Sequence, residues 1–236
     1  MRRSRVRLLS GARFVVRRGP ENVSSISACQ EPTFPARGFR WALDPFSQVS
    51  FNGVCDKVNW VAVDAPVLAE IVATVQRLPY TWPGPPTAAS ARESGQGTCA
   101  AKHALLRERL HALGLDCERL MVVGPLAPSL WPDLQEASGN LMEVHECLTV
   151  ATPWAGPLLV DVTWHPAAIR AGLPGTLDWN GAGDMLCAVP LVVSYAVSRD
   201  FRAQKEMVRS RLYSAYERQR RDQILTQIAS RAAQFS

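Results

Sequence analysis

Apolar residues recur at helical spacing in two segments of the first half of the chain. In residues 64–80 they form one helical face that starts after Asp64, a residue type that caps helix N-termini. A second face starts at Cys99 and stops before Gly114, a residue typical of helix C-termini. Residues 81–97, between the two faces, are rich in Pro, Gly and Ser. The pattern therefore predicts two helices joined by a loop.

Three later segments have the alternating or β-branched pattern of strands. They are residues 116–124, 140–150 and 156–164. We predict that the last two are antiparallel neighbours, joined by a turn at residues 153–156. The segment 125–140 carries three prolines and is predicted to be a loop.

The rest of the chain has weaker patterns. Residues 21–59 and 165–184 are rich in turn-forming residues, and a short strand is expected within 186–197. The C-terminal segment 200–234 has the charges and spaced apolar residues of one long amphipathic helix or two shorter ones.

The length of 236 residues suits a single domain with a sizeable core, which we place at 21–236. Residues 1–20 carry seven Arg and no acid, and Arg7 and Arg13 interrupt the apolar stretch that a secretory signal needs. A flexible basic extension is predicted there. No apolar run approaches the roughly 18–20 residues that span a bilayer, so we expect no membrane partner.

The net charge of +5 is unevenly distributed. Residues 199–236 carry nine basic and four acidic side chains, whereas residues 21–198 carry ten basic and seventeen acidic ones. The acidic centre does not favour a nucleic-acid partner, because attraction to polyanions would come only from the two ends.

The cysteines are widely spaced and form no C-x-x-C pair. The six positions are Cys29, Cys55, Cys99, Cys117, Cys147 and Cys187. In a chain of this length without an export signal, the spacing favours free thiols in a reducing cytoplasm. We therefore expect a cytoplasmic protein with no bound metal and no cofactor.

Cys99 follows a glycine-rich stretch and stands at the predicted start of a helix. A cysteine nucleophile acts as the thiolate, which a helix N-terminus stabilises, and it needs an imidazole and a group that orients the imidazole. The other interpretation of Cys99 is a small apolar side chain at the edge of the core.

The four histidines differ in what their positions predict. His103 lies one turn after Cys99 on the apolar face and is expected in the core, whereas His111 and His165 suit a helix end and a surface turn. His145 stands in the middle of a predicted strand, where strand propensity does not favour it. Asp161 is similarly out of place in an apolar strand, because a buried carboxylate needs a partner.

The stretch GTCAAKHALLRERLHALGLDCERLMVVG resembles the cysteine motif of the transglutaminase-like superfamily. VHECLTV resembles that family's histidine strand, and LLVDVTWHP resembles its Asp-x-Thr strand. Cys99 precedes His145 by 46 residues, and His145 precedes Asp161 by 16, in the family's order. The resemblance covers residues 95–166. This chain departs from the family at two places. Glu146–Cys147 stand where many members carry an aromatic residue, and this predicts a more polar cleft wall. His165 stands where an Asp is frequent.

The resemblance implies a papain-like α+β core, in which the Cys-bearing helix packs on an antiparallel sheet and a helical segment follows at the C-terminus. It implies a thioester on Cys99, with His145 moving protons and Asp161 orienting His145. The Cys99 N–H would donate to the oxyanion, with the Gln96 side chain as a second donor. Trp131 and Trp164 are expected to line the cleft.

The sequence leaves a leading function and an alternative, and the presence of Cys99, His145 and Asp161 together favours the first. The first is a cysteine-dependent amide or peptide hydrolase or acyl transferase, which acts on a peptide, amide or acyl substrate. The second is a catalytically silent domain of the same fold that acts as a binding module. A third, a metal-binding protein, lacks ligand pairs at a good chelate spacing. It would use Cys99, His103, His145 and Cys147. The oligomeric state carries no prediction.

Overall fold

The computed structural model describes residues 14–15, 63–196 and 200–235, which belong to one compact unit of mixed α+β architecture. Its helices are α1 (Ala65–Gln76), α2 (Ala88–Ser94), α3 (Cys99–Ala112), α4 (Pro132–Ser138), α5 (Pro166–Arg170), α6 (Phe201–Leu212) and α7 (Ala215–Ala232). Its strands are β1 (Phe14–Val15), β2 (Cys117–Pro125), β3 (Met142–Thr152), β4 (Gly156–Val160) and β5 (Val193–Ala196). None of these helices is long and apolar enough to cross a membrane.

The strands form one antiparallel sheet in the order β1-β5-β2-β3-β4. β3 pairs with β2 on one side and with β4 on the other, so that His145 stands opposite Val122 and Leu148 opposite Val160. Gly156 has a φ of +71° at the turn between β3 and β4, a conformation that glycine adopts without strain. The predicted hairpin of neighbouring strands is confirmed.

Helix α3 begins at Cys99 because Thr98 caps it, with its hydroxyl accepting the N–H of Ala101. It ends in a turn in which Gly114 adopts a φ of +75°. Its apolar side chains pack against α1, α2 and β3 around a core that includes Leu68, Leu106 and Val160. The helix predicted from residue 99 is therefore confirmed, as is α1 with its Asp64 cap.

Two predicted loops contain short helices. Within 81–97, the Thr87 hydroxyl caps α2 by accepting the N–H of Ser90, and Ala88 and Ala91 are buried. Within 125–140, a 3-10 turn at Ala127–Ser129 is followed by α4, which starts at a proline. Segments of about seven residues present too few apolar positions for a periodic pattern to show.

The third predicted strand is shorter than expected. β4 ends at Val160, because the next backbone N–H groups bond to side chains instead of to a neighbouring strand: that of Val162 donates to His103, and that of Thr163 donates to Asp161.

At the C-terminus, the two-helix alternative is correct. Ser214 starts α7 with a capping box in which Glu217 takes part.

The predictions for the N-terminal region lie mostly outside the described residues. These are the irregular segment 21–59 and most of the extension 1–20. Phe14 and Val15, inside that predicted extension, form β1 and pair with β5, so this part of the extension belongs to the sheet.

Candidate active site

Cys99 is the first residue of α3, and its thiol is partly buried. The first-turn N–H groups of a helix have no intrahelical acceptor, and Thr98 takes only that of Ala101. The positive end of the helix dipole therefore lies at the thiol. This position favours a thiolate.

His145 lies between Asp161 and the cavity that Cys99 also lines. It lies in the middle of β3 and is 3% exposed. Its Nε2 atom lies 2.7 Å from Oδ2 of Asp161. The Thr163 hydroxyl oxygen is 3.4 Å from the same nitrogen. The structure thus brings the three residues singled out in the sequence together: the thiol and the imidazole line one cavity, and the carboxylate binds the imidazole.

Asp161 is the first residue after β4, and backbone N–H groups donate to both oxygens of its buried carboxylate. Its Oδ2 accepts the N–H of Ala188 over 2.8 Å, and its Oδ1 accepts the N–H of Thr163 over 2.9 Å. These donors offset the cost of burying the carboxylate. Oδ1 also lies 3.5 Å from Nε2 of His103, which gives it no hydrogen bond because that nitrogen accepts the N–H of Val162.

The pKa values of the three groups shift toward an ion pair. Burial alone raises the pKa of the Cys99 thiol, but the Lys205 ammonium and the hydrogen bond from His145 lower it below its ordinary value. Burial alone lowers the pKa of His145, but the Asp161 carboxylate raises it well above its usual range. Burial would raise the pKa of Asp161, but the charge and hydrogen bond of His145 hold it well below its usual range. A thiolate beside an imidazolium is therefore favoured.

His103 is completely buried, as expected for the apolar face of α3. The N–H of Val162 donates to its Nε2 atom over 3.2 Å, so its Nδ1 atom carries the proton and donates to the Cys99 carbonyl over 2.7 Å. Burial lowers the pKa of His103 to about 4, which agrees with a neutral ring. Its spacing of one turn from Cys99 was visible in the sequence, but its bonds to the Asp161 segment were not.

Lys102 is a buried residue that sequence reasoning missed. It is 0% exposed, and its Nζ atom donates to the carbonyls of Gln76, Leu78 and Thr163 over 3.1, 2.8 and 2.9 Å. Burial lowers its pKa to about 7. These bonds connect the end of α1, α3 and the residues after Asp161. A lysine next to an inward-facing histidine on α3 was the signal that could have found it.

Cys187 adds a second thiol beside His145. The neighbouring Cys147 thiol and the His145 imidazole lower the pKa of Cys187 to about 7 against the effect of burial. Possible ligand atoms of His145, Asp161 and Cys187 lie within 4.8 Å of one another. This group differs from the four residues weighed as metal ligands in the sequence. Within this group, Nε2 of His145 and Oδ2 of Asp161 lie 2.7 Å apart, so these two atoms are hydrogen-bonded to each other.

A narrow cavity of about 30 Å³ reaches the thiol and the imidazole. Trp164 lines it, as expected from the resemblance, and Trp82 lines it as well. Gln96 and Trp131 are not among its lining residues: the former is exposed, and the indole of the latter donates to the Ala171 carbonyl within the core.

Helix α7 forms one wall of this cavity through Arg221, Leu225 and Ile228. Arg221 is 5% exposed and forms two hydrogen bonds of 2.5 Å with Glu143, which also lines the cavity. Its guanidinium lies 5.0 Å from the ring centroid of Trp82. The C-terminal helical segment is therefore part of the site, a role the sequence did not indicate.

Three other polar residues of the resembling stretches, His111, Glu146 and His165, do not line the cavity. The His165 Nδ1 atom accepts the N–H of Ala167 and caps α5, and His111 is exposed near the end of α3. Glu146 does not line the cavity, and its carboxylate pairs with Arg119 over 2.7 Å. The expectation of a more polar cleft wall at Glu146 is therefore wrong.

No family model, curated protein or solved structure matches this chain.

Proposed function

We propose that this protein is a cysteine-dependent amide or peptide hydrolase, or an acyl transferase, with a papain- and transglutaminase-like core. Cys99 is the nucleophile, His145 the proton carrier and Asp161 the orienting group. One observation carries the proposal: a helix-N-terminal thiol and an imidazole line one cavity, and Nε2 of that imidazole lies 2.7 Å from a buried carboxylate. Nucleophilic catalysis by cysteine requires this order of groups.

In the first step the Cys99 thiolate attacks the carbonyl carbon of the substrate. The carbonyl π electrons move onto oxygen, and the C–N bond then breaks as the His145 imidazolium gives its proton to the leaving nitrogen. The products are a thioester on Cys99 and a free amine. Because Asp161 engages Nε2 of His145, Nδ1 is the nitrogen left to exchange protons with the thiol and the substrate.

In the second step water or an amine attacks the thioester. The neutral His145 takes a proton from this acceptor, the C–S bond breaks, and the thiolate–imidazolium pair is restored. Water yields a carboxylic acid, and an amine yields a new amide. The N–H of Cys99 is placed to donate to the oxyanion in both steps, because it is an unpaired first-turn group.

The proposal is tested by the rate at which each cysteine of the full chain reacts with N-ethylmaleimide at neutral pH, followed by peptide mass spectrometry. Cys99 should react faster than Cys117, which is also partly buried and whose pKa burial raises to about 11. If Cys99 reacts no faster than Cys117, the nucleophile assignment is wrong.

Acyl transfer is tested with activated esters and amides in the presence of hydroxylamine, which traps a thioester as a hydroxamate. Cys99→Ala should abolish hydroxamate formation, whereas Cys117→Ala should retain it, because Cys117 neither starts a helix nor lines the cavity. If Cys99 is reactive but no acyl transfer depends on it, the domain is the binding module. If Cys187→Ala rather than Cys99→Ala abolishes transfer, the nucleophile is Cys187.

A further inference from the structure

Two residues that line the cavity carry polar atoms without a hydrogen-bond partner. They are the Ser129 hydroxyl, on a residue 1% exposed, and the indole Nε1 of Trp164, on a residue 6% exposed. Among the residues that the structure describes, the other unpaired buried atoms belong to Glu146 and Arg209, each of which has an ion-pair partner at another atom. Only the unpaired atoms of Ser129 and Trp164 belong to residues that line this cavity.

An unpaired buried donor is destabilising, and a ligand oxygen at the same place would offset that cost. The indole N–H can only donate, and the hydroxyl can donate or accept. The complementary group on a ligand is therefore an oxygen with lone pairs, such as a carbonyl.

The charges that line the cavity are already paired. Arg221 uses Nε and Nη2 on Glu143 and its Nη1 on Asp222. The phenol of Tyr80 is neutral, because burial raises its pKa well above the ordinary value. Among the described residues that line the cavity, no guanidinium is left to receive a carboxylate on the substrate, and burying an unpaired carboxylate is costly.

The rest of the cavity wall is mostly apolar. Leu126, Val189, Leu225 and Ile228 contribute to it, and the cavity volume of about 30 Å³ holds about two water molecules. The space next to the thiol therefore suits a small group rather than a long side chain.

From these observations we infer that Ser129 and Trp164 bind the carbonyl oxygens of the substrate, and that its acyl group is short and uncharged. This inference rests on the proposed function and names its substrate class: amides or esters of small, neutral carboxylic acids. Ser129 and Trp164 are then the residues that determine specificity.

The test uses three small thiol reagents on the full chain, with Cys99 modification followed by mass spectrometry. Iodoacetamide is neutral and carries a carbonyl, iodoacetate carries a charge instead, and methyl methanethiosulfonate transfers a group without a carbonyl. Relative to free glutathione, Cys99 should prefer iodoacetamide to iodoacetate. Trp164→Phe or Ser129→Ala should lower the ratio of the iodoacetamide rate to the methanethiosulfonate rate about tenfold.

Trp131→Phe is the matched control, because the Trp131 indole bonds to Ala171 in the core, outside the cavity. It should leave the ratio unchanged. Trp164→Phe should not lower Tm, because it removes an unpaired donor and keeps an aromatic ring against Tyr80.

Each outcome separates the inference from the function. An unchanged ratio in both variants, or a preference for iodoacetate, overturns the inference while Cys99 can still be the nucleophile. A Cys99 that reacts with methyl methanethiosulfonate no faster than Cys117 overturns the proposed function itself, and the inference with it.

Discussion

The Nδ1 atom of His103 lies 2.7 Å from the carbonyl oxygen of Cys99, one turn earlier in the same helix. The other nitrogen of this ring accepts the N–H of Val162, and it lies 3.5 Å from Asp161. A single neutral imidazole therefore joins the backbone of the nucleophile to the segment that carries the carboxylate. His103 is a positioning residue and not a second base, because its pKa is lowered to about 4.

Replacing His103 with Ala should slow Cys99 alkylation and destabilise the protein by about 2 kcal/mol. The buried N–H of Val162 loses its acceptor. The first turn of α3 thereby loses its hydrogen-bonded connection to residues 161–163, the Asp161 segment. Alkylation rates and urea unfolding measure the two effects. His111→Ala, at the exposed end of the same helix, should change neither. If Cys99 of the His103→Ala variant is alkylated at the parent rate, the start of α3 is held in place without His103.

Asp161→Asn should move the pH profile of Cys99 alkylation to higher pH. The carboxylate raises the pKa of His145, and the imidazolium lowers the pKa of Cys99. Without the charge, His145 loses its proton at lower pH and Cys99 holds its proton to higher pH. The rate at pH 6 should fall about tenfold or more.

The matched control for this pH profile is Asp178→Asn, at an exposed turn position. It should leave the profile in place. A profile for Asp161→Asn that coincides with that of the parent protein would contradict a thiolate–imidazolium pair supported by Asp161.

Lys102→Met should lower the free energy of unfolding by about 3 kcal/mol. The variant leaves the carbonyls of Gln76, Leu78 and Thr163 without their donor in the core. Arg109→Met, on the exposed side of the same helix, should change it by less than about 0.5 kcal/mol. Denaturant unfolding of both variants makes the comparison, and equal stabilities would rule out Lys102 as a link between α1, α3 and the Asp161 segment.

Glu143→Gln and Arg221→Met should each destabilise the protein by about 3 kcal/mol, because each leaves a buried charge without its partner. The double variant should lose much less than the sum of the two. The exposed pair of Arg218 and Glu206 is the control, for which a double-mutant cycle should give less than about 1 kcal/mol. Additive losses for the buried pair would show that it does not hold α7 against β3.

Periodicity and turn residues predicted the long elements of the site but not the short helices near it. The helix from Cys99 and the hairpin that holds His145 followed from periodicity and turn residues, and Asp161 was found because a carboxylate in an apolar strand needs a partner. The short helices α2 and α4 were missed, because seven residues are too few for a periodic signal.

The sequence by itself determined the helix that begins at the thiol and the strand that carries the imidazole, and it singled out the carboxylate, which lies one residue past the end of β4. Helix and strand spacing and the cost of a buried charge are properties of neighbouring residues. Only the tertiary structure decided that Lys102 bonds to Thr163, 61 residues away, and that Arg221 covers the site by pairing with Glu143, 78 residues away. It also left Gln96 exposed and Trp131 in the core. Such contacts depend on how elements pack, and no local pattern records which distant residue will complete a buried polar group.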